Sequence, residues 1–179
     1  RLKIVGADLP DGGENLVWKA FDALGSTRPL VDLTLTKRTP IAAGMGGGSS
    51  DAAAAMRLGQ ELMGLGDDVV FRSAPNVGAD VTFFLTGGSA WMEGYGEVIT
   101  PIEPLEGFAV AVAVPPFELP TPEVYRRWDA LGFPEGQKMP MRALPPSLRA
   151  YGEFVNNLTP AALDICPELG DWMVDLSER

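Results

Sequence analysis

The 179-residue chain contains no histidine and a single cysteine, Cys166. Without an imidazole there can be no Ser-His-Asp triad, no His-ligated zinc and no histidine general base, so acid–base work falls to Asp, Glu, Lys or Tyr. One thiol forms neither an internal disulfide nor a Cys–His pair, and Cys166 reads as a core or helix-end residue. Basic residues are scarce: 14 Lys and Arg against 24 Asp and Glu leave a formal net charge of −10. That balance argues against a nucleic-acid surface, which needs a basic stripe to displace phosphate counterions. It does not exclude one bound nucleotide, for which backbone donors and one or two local cations suffice. Long apolar runs are missing too. Nothing approaches the roughly 18 consecutive apolar residues of a membrane helix, and Arg1-Leu2-Lys3-Ile4-Val5 leads into no signal core. The expectation is a cytoplasmic protein with neither a nucleic-acid nor a membrane partner.

What is present is a patterned globular sequence, 46% apolar, enough to bury a core in one domain or two small ones. A short extended piece, Leu2 to Val5, is followed by the turn Leu9-Pro10-Asp11-Gly12-Gly13. Leu16, Val17, Ala20, Phe21 and Leu24 recur at helical spacing and stop at Gly25. Val31, Leu33 and Leu35 alternate with polar residues as in a half-buried strand. Further on, Ala52, Ala55, Met56, Gly59, Leu62 and Met63 trace one small-residue helix face that ends at Gly64-Leu65-Gly66. A short helical piece is expected from Asp67 to Arg72, broken by Pro75-Asn76. Ser89 to Glu93 and Val98 to Pro101 flank Gly94-Tyr95-Gly96-Glu97 as a hairpin.

The character changes at Pro101 to Gly107, where a domain boundary is expected, giving domains 1–105 and 106–179. Phe108 to Val114, FAVAVAV, has the length and residue type of a buried strand. Helices are expected at Pro122 to Leu131, Leu148 to Phe154, Leu158 to Ile165 and Glu168 to Leu176, with a loop from Pro134 to Pro146.

Between the predicted strand and the small-faced helix lies Pro40-Ile41-Ala42-Ala43-Gly44-Met45-Gly46-Gly47-Gly48-Ser49-Ser50-Asp51, with four glycines in five positions. Glycines remove the Cβ atoms that would keep a polyphosphate from main-chain N–H groups and permit positive φ. The following helix offers its unsatisfied N-terminal donors and the positive end of its dipole. Lys37 and Arg38, just ahead, are the candidate cations. No lysine follows Gly48, so this is not a Walker loop, and Ser49 stands where a dinucleotide fingerprint needs glycine or alanine. A plain flexible linker is the competing reading, weakened by the ordered elements on either side. Ser49 or Ser50 is expected to cap the helix, with Asp51 in its first turn.

The stretch PIAAGMGGGSSD, with Gly78-Ala79-Asp80-Val81 downstream, resembles the GHMP superfamily of small-molecule kinases. Glu14-Asn15-Leu16-Val17, Thr36-Lys37-Arg38-Thr39-Pro40, Gly94-Tyr95-Gly96-Glu97, Pro120-Thr121-Pro122-Glu123-Val124-Tyr125 and Asn156-Asn157-Leu158 match in order and spacing. The triple glycine and double serine are most similar to the branch that phosphorylates the 2-hydroxyl of a diphosphocytidyl-linked methylerythritol in non-mevalonate isoprenoid synthesis. The resemblance implies an α+β, two-domain fold, its N-terminal domain like that of a small-subunit ribosomal protein and its C-terminal domain ferredoxin-like. It implies ATP and Mg²⁺ as cofactors and a small molecule as substrate. On it, Pro40, Ile41, Ala42, Ala43, Gly44, Met45, Gly46, Gly47, Gly48, Ser49 and Ser50 hold the ATP phosphates, while Asn15 and Lys37 lie near the adenine. Asp80 is then the carboxylate that takes or orients the substrate proton, and phosphoryl transfer asks for little more than such positioning. Tyr125 stacks on the cytosine, with Thr121 close by.

Each residue also has a plainer use. On spacing alone Asp80 suits a helix or turn cap, the serines suit N-caps, and Tyr125 suits an amphipathic-helix core. Members of the superfamily open with a Pro-Ala-Lys-Ile-Asn strand and close with a glycine- and serine-rich loop; residues 1–179 correspond to the part between them. Thr82 replaces the proline usual after Gly-Ala-Asp-Val. A kinase for homoserine, mevalonate or a sugar, or a non-catalytic nucleotide-binding module, are the alternative readings.

Overall fold

The structure is a computed structural model and describes residues 1–25, 27–104, 106–107, 109–136, 138, 146–149 and 154–177. The chain divides into two compact units, Arg1–Pro104 and Leu105–Arg179.

In the first unit, β1 (Leu2–Val5) leads to α1 (Leu16–Leu24) and β2 (Leu33–Thr36). The two strands pair in parallel, Leu2 opposite Leu33 and Ile4 opposite Leu35, with α1 as their crossover. Such a pair needs a helical connection, because a short turn cannot return the chain to the same end. The helix begins at Asn15, whose Oδ1 accepts the Val17 N–H at 3.0 Å while its Nδ2 donates to the Pro10 carbonyl at 2.7 Å. The Trp18 indole N–H donates to the Asp11 carbonyl at 2.9 Å, so the preceding turn is pinned along α1. The apolar stripe then buries Val17, Trp18, Ala20, Phe21 and Leu24.

The chain continues into α2 (Gly47–Met63), α3 (Asp67–Ser73), a 3₁₀ turn (Ala74–Asn76) and α4 (Val81–Thr86). α2 lays Ala52, Ala53, Ala55, Met56 and Gly59 against α1. A Cβ on Gly59 would come within 2.6 Å of the Leu24 Cδ1, so the two helices approach as closely as their backbones permit. Phe21, Met56, Val70 and Val81 are fully buried at the centre, each contributing about 2 kcal/mol of apolar transfer. Leu62, expected on the buried face, is 48% exposed. Leu62 falls at the edge of that face, while Met63 in the same turn packs inward, its Cε 3.1 Å from the Cβ position of Gly25 just past α1. β3 (Ser89–Glu93) and β4 (Val98–Ile102) complete the unit as an antiparallel hairpin in the expected register. Arg57 ties these pieces together, donating to Asp67 Oδ1 at 2.8 Å and to the Leu85 carbonyl at 3.1 Å.

The second unit contains α5 (Thr121–Ala130), α6 (Pro146–Arg149), α7 (Thr159–Ile165) and α8 (Glu168–Ser177). Arg127 pairs with Asp164 at 2.5 Å, joining α5 to α7. The expected strand at 108–114 does not form over the described residues 109–114, where Val110, Val112 and Val114 are 73%, 53% and 49% exposed. A strand is stable only with neighbours to take its amides and cover its faces. Among the described residues of this unit the one pairing is an isolated bridge between Lys138 and Val155. The helix expected through Phe154 ends earlier; Phe154 is non-helical, while 150–153 lie outside the described residues. Much of the expected loop from 134 to 146 also lies outside them.

The Thr82 hydroxyl on α4 is buried without a hydrogen-bond partner. A buried, unsatisfied hydroxyl costs on the order of 1–3 kcal/mol, and valine has its shape. Thr82→Val is therefore expected to stabilise the protein by about 1 kcal/mol in denaturant titration; a destabilised variant would show that the hydroxyl is satisfied in solution.

Candidate active site

β2 delivers the chain to the glycine turn, and its ladder extends one residue further: the Lys37 N–H donates to the Val5 carbonyl at 2.8 Å. The turn then passes through the left-handed region three times, at Ala42 (φ 55°), Gly44 (φ 67°) and Gly46 (φ 64°). Pro40, Ile41, Ala42, Gly44, Met45 and Gly48 are exposed, and Ala43, Gly46, Gly47, Ser49 and Ser50 are half-buried.

The expected serine cap is not used. Gly46 is the N-cap of α2, in the left-handed conformation, and Ser49 and Ser50 lie inside the first turn, where the Ser50 hydroxyl donates to the Gly47 carbonyl at 2.9 Å. Packing decides the cap: a Cβ on Gly46 would fall 2.6 Å from Cε2 of Phe84 on α4, so glycine alone fits both the conformation and the space. The next two glycines are filled from behind as well. Gly47 backs onto the Lys37 Nζ and Thr39 Cγ2, each 3.0 Å from its Cβ position, and Gly48 onto the Leu16 Cδ1 at 3.1 Å. Gly44 has nothing within 4 Å of its Cβ position. The glycines thus serve close packing beneath the turn as much as access above it. The first helical bond runs from the Ser50 N–H to the Gly46 carbonyl at 2.9 Å. The amides of Gly47, Gly48 and Ser49 precede it and are the donors a helix start offers to an anion.

Lys37 brings the cation. Its Nζ contacts the Asp51 carboxylate at 2.5 Å, with the two side chains 7% and 21% exposed. The pair joins the end of β2 to α2 just past its first turn, since the helix starts at Gly47 and Asp51 falls beyond the turn expected for it, so the strand and helix that bracket the glycines are fastened together. Reading the sequence missed this use of Asp51. The signal was a lone lysine ahead of the glycines and a lone acid after them, but a separation of 14 residues carries no local periodicity.

Asp80 stands immediately before α4. Its backbone is helical (φ −83°, ψ −7°), its side chain makes no capping bond, and it is exposed. Its surroundings bring it to the glycine turn: Gly78 presents its Cβ position 3.9 Å from the Ser49 Oγ, and Phe84, one turn later on α4, rests on Gly46. An exposed carboxylate thus follows a segment seated against the start of α2.

The remaining sequence-predicted residues have their own places. Asn15 is 8% exposed, and both ends of its amide bond the chain itself, as described for α1. Thr121 opens α5, and Tyr125 on the same helix is 51% exposed. Both belong to the second unit. Cys166 caps α7 with its Sγ 3.3 Å from the Glu168 carboxylate; desolvation and that carboxylate push the thiol above its usual range, which makes it a poor nucleophile. Among the described residues no three acidic, histidine or cysteine side chains gather as a metal site. No helix there is long and apolar enough to cross a membrane.

Residues 15–88 match the family model described as the GHMP kinases N terminal domain. A 4-diphosphocytidyl-2-C-methyl-D-erythritol kinase of Corynebacterium efficiens is 36% identical over 174 residues, covering 90% of this chain and 55% of that protein. One from a Nocardioides species is 37% identical, covering 93% of this chain and 63% of that one. A solved structure titled as a 4-(cytidine 5'-diphospho)-2C-methyl-D-erythritol kinase superposes with a TM-score of 0.59 at 33% identity, over 96% of this chain and 63% of that one. Residues 15–88 of this chain form a GHMP kinase N-terminal domain. The chain spans 55% to 63% of the length of these relatives. The glycine turn and Gly78-Ala79-Asp80-Val81 both fall inside the matched GHMP domain.

Removing one partner of the Lys37–Asp51 pair leaves a largely buried charge, which costs more than removing both. Lys37→Met is expected to lower unfolding stability by about 3 kcal/mol, and adding Asp51→Asn should recover most of it. Equal loss in the single and double variants would mean that the pair does not fasten the turn.

Proposed function

We propose that this protein is an ATP-dependent kinase that phosphorylates the 2-hydroxyl of 4-diphosphocytidyl-2-C-methyl-D-erythritol, a step of isoprenoid precursor synthesis in the cytoplasm. The observation that supports the reading is the seating of Gly78, two residues before the exposed Asp80, against Ser49 in the first turn of α2. The relatives' names supply the acceptor, and two domains, 1–105 and 106–179, are the parts of the fold expected to hold the two substrates.

The residues fit an ATP phosphate chain. Gly47, Gly48 and Ser49 offer main-chain donors at a helix start, the open side of Gly44 leaves room, and Lys37 lies beneath. Bound there, ATP supplies the phosphoryl group and Mg²⁺ screens its charge. With no acidic cluster among the described residues, the ion would be held chiefly by the phosphates, with the Ser49 hydroxyl as the nearest side-chain oxygen donor in the turn. Asp80 accepts a hydrogen bond from the acceptor hydroxyl and takes its proton. The acceptor oxygen then bonds to the γ-phosphorus as the bond to the ADP oxygen breaks. Tyr125 offers a flat face to the cytosine, with Thr121 beside it on α5.

In the full-length protein, Asp80→Asn should cut turnover by roughly two to four orders of magnitude while leaving ATP affinity nearly intact. Unchanged turnover would remove Asp80 from the reaction. An acceptor panel tests the substrate: preferential phosphorylation of homoserine, mevalonate or a sugar would overturn the cytidine-linked acceptor.

A further inference from the structure

The β3–β4 hairpin turns through Gly94, Tyr95, Gly96 and Glu97, and its tip is fixed against the residue that precedes Asp80. Gly96 is buried at φ 104°, and a Cβ there would lie 2.3 Å from the Ala79 carbonyl oxygen. Only glycine allows that seat. Gly94 is also left-handed, at φ 68°, and the Glu97 carboxylate accepts the Tyr95 N–H at 2.6 Å, closing the turn from within. The five-residue strands pair along their whole length, so the tip has a rigid stem. At the centre of this fixed turn Tyr95 is 90% exposed.

Two consecutive residues ahead of Asp80 are therefore seated on two different elements. Gly78 lies against Ser49 of the glycine turn, and Ala79 against Gly96 of the hairpin. In phosphoryl transfer the attacking hydroxyl and the γ-phosphate meet at the catalytic carboxylate from different directions. With the phosphates assigned to the glycine turn, the hairpin that borders Asp80 through Ala79 is the element of the first unit left to meet the acceptor. Resting on the kinase reading above, we propose that Tyr95 is a specificity-determining residue whose ring packs on the acceptor molecule, a cytidine-diphosphate-linked alcohol. A tyrosine there adds contact area at low entropic cost, because its two side-chain torsions are few and its turn is already fixed.

The test compares full-length wild-type protein with Tyr95→Ala and Tyr95→Phe, using the acceptor that the wild type phosphorylates fastest in a panel. Tyr95→Ala should raise the acceptor KM about tenfold, the size of one lost aromatic contact, with the ATP KM and the melting temperature unchanged; Tyr95→Phe should restore the acceptor KM. An acceptor KM unmoved by Tyr95→Ala, or acceptor and ATP KM values that rise together, would overturn the assignment of Tyr95 and leave the kinase reading standing. A different preferred acceptor would overturn the cytidine-linked substrate, and the same comparison made with that acceptor decides the role of Tyr95. Absence of turnover with every acceptor would overturn both.

Discussion

The candidate site depends on one close approach, that of the Phe84 ring to the Cα of Gly46. The ring occupies the space where any other residue would carry a Cβ, so the start of α2 and the start of α4 are brought together at van der Waals distance. Everything chemically useful in the first unit follows from that contact. It selects glycine as the helix cap and displaces the serines into the first turn. It also brings the Gly78-Ala79-Asp80 segment alongside the amides that open α2. Arg57, from the middle of α2, bonds the carbonyl of Leu85, the residue after Phe84. The second half of α4 is thus held to α2 at two adjacent residues, not by the loop alone.

A second constraint lies beneath the turn. Gly47 and Gly48 are backed by Lys37, Thr39 and Leu16, so the turn rests on packed side chains instead of floating over solvent. A phosphate cradle benefits from this. Donors that are already oriented lose little entropy on binding, and a helix start whose underside is filled cannot collapse inward when its upper face is empty. The Lys37–Asp51 pair serves the same end. It holds β2 to α2 across the turn and neutralises the Asp51 carboxylate beside the glycines, in a protein whose overall charge is −10.

Where the sequence was legible, the determining interactions were local. α1, β2, the body of α2 and the β3–β4 hairpin announce themselves through periodicity and turn residues, and each folds as its pattern dictates. The turn from Gly44 to Ser49 could be placed between a strand and a helix for the same reason, since strand, glycines and helix are contiguous. What could not be read depended on distant partners. The choice of Gly46 over Ser49 as cap is made by Phe84, and the pairing of Lys37 with Asp51 and the seat of Gly96 on Ala79 join segments with no shared pattern. FAVAVAV failed for the complementary reason. Its composition states only that it tolerates burial between neighbours, and residues 109–114 have none among the described part of the second unit.

The two kinds of evidence about function therefore bear on different questions. The likeness to the relatives rests on residues spread along nearly the whole chain, and it would survive changes at any one of them. The chemistry rests on a few contacts inside residues 1–104: Gly46 with Phe84, Gly78 with Ser49, and Gly96 with Ala79. The first and last demand a missing Cβ, at Gly46 and Gly96, the second is an ordinary van der Waals approach, and each includes a residue within four positions of Asp80. Glycines clustered in one loop are explained equally well by flexibility. Glycines dispersed over a turn and a hairpin tip, each seated against a neighbour within four residues of Asp80, are not. A flexible hinge has no use for a cap backed by a ring and a hairpin tip seated on a carbonyl oxygen, whereas the site proposed above, which would hold a carboxylate at a fixed distance from bound phosphates, calls for that rigidity.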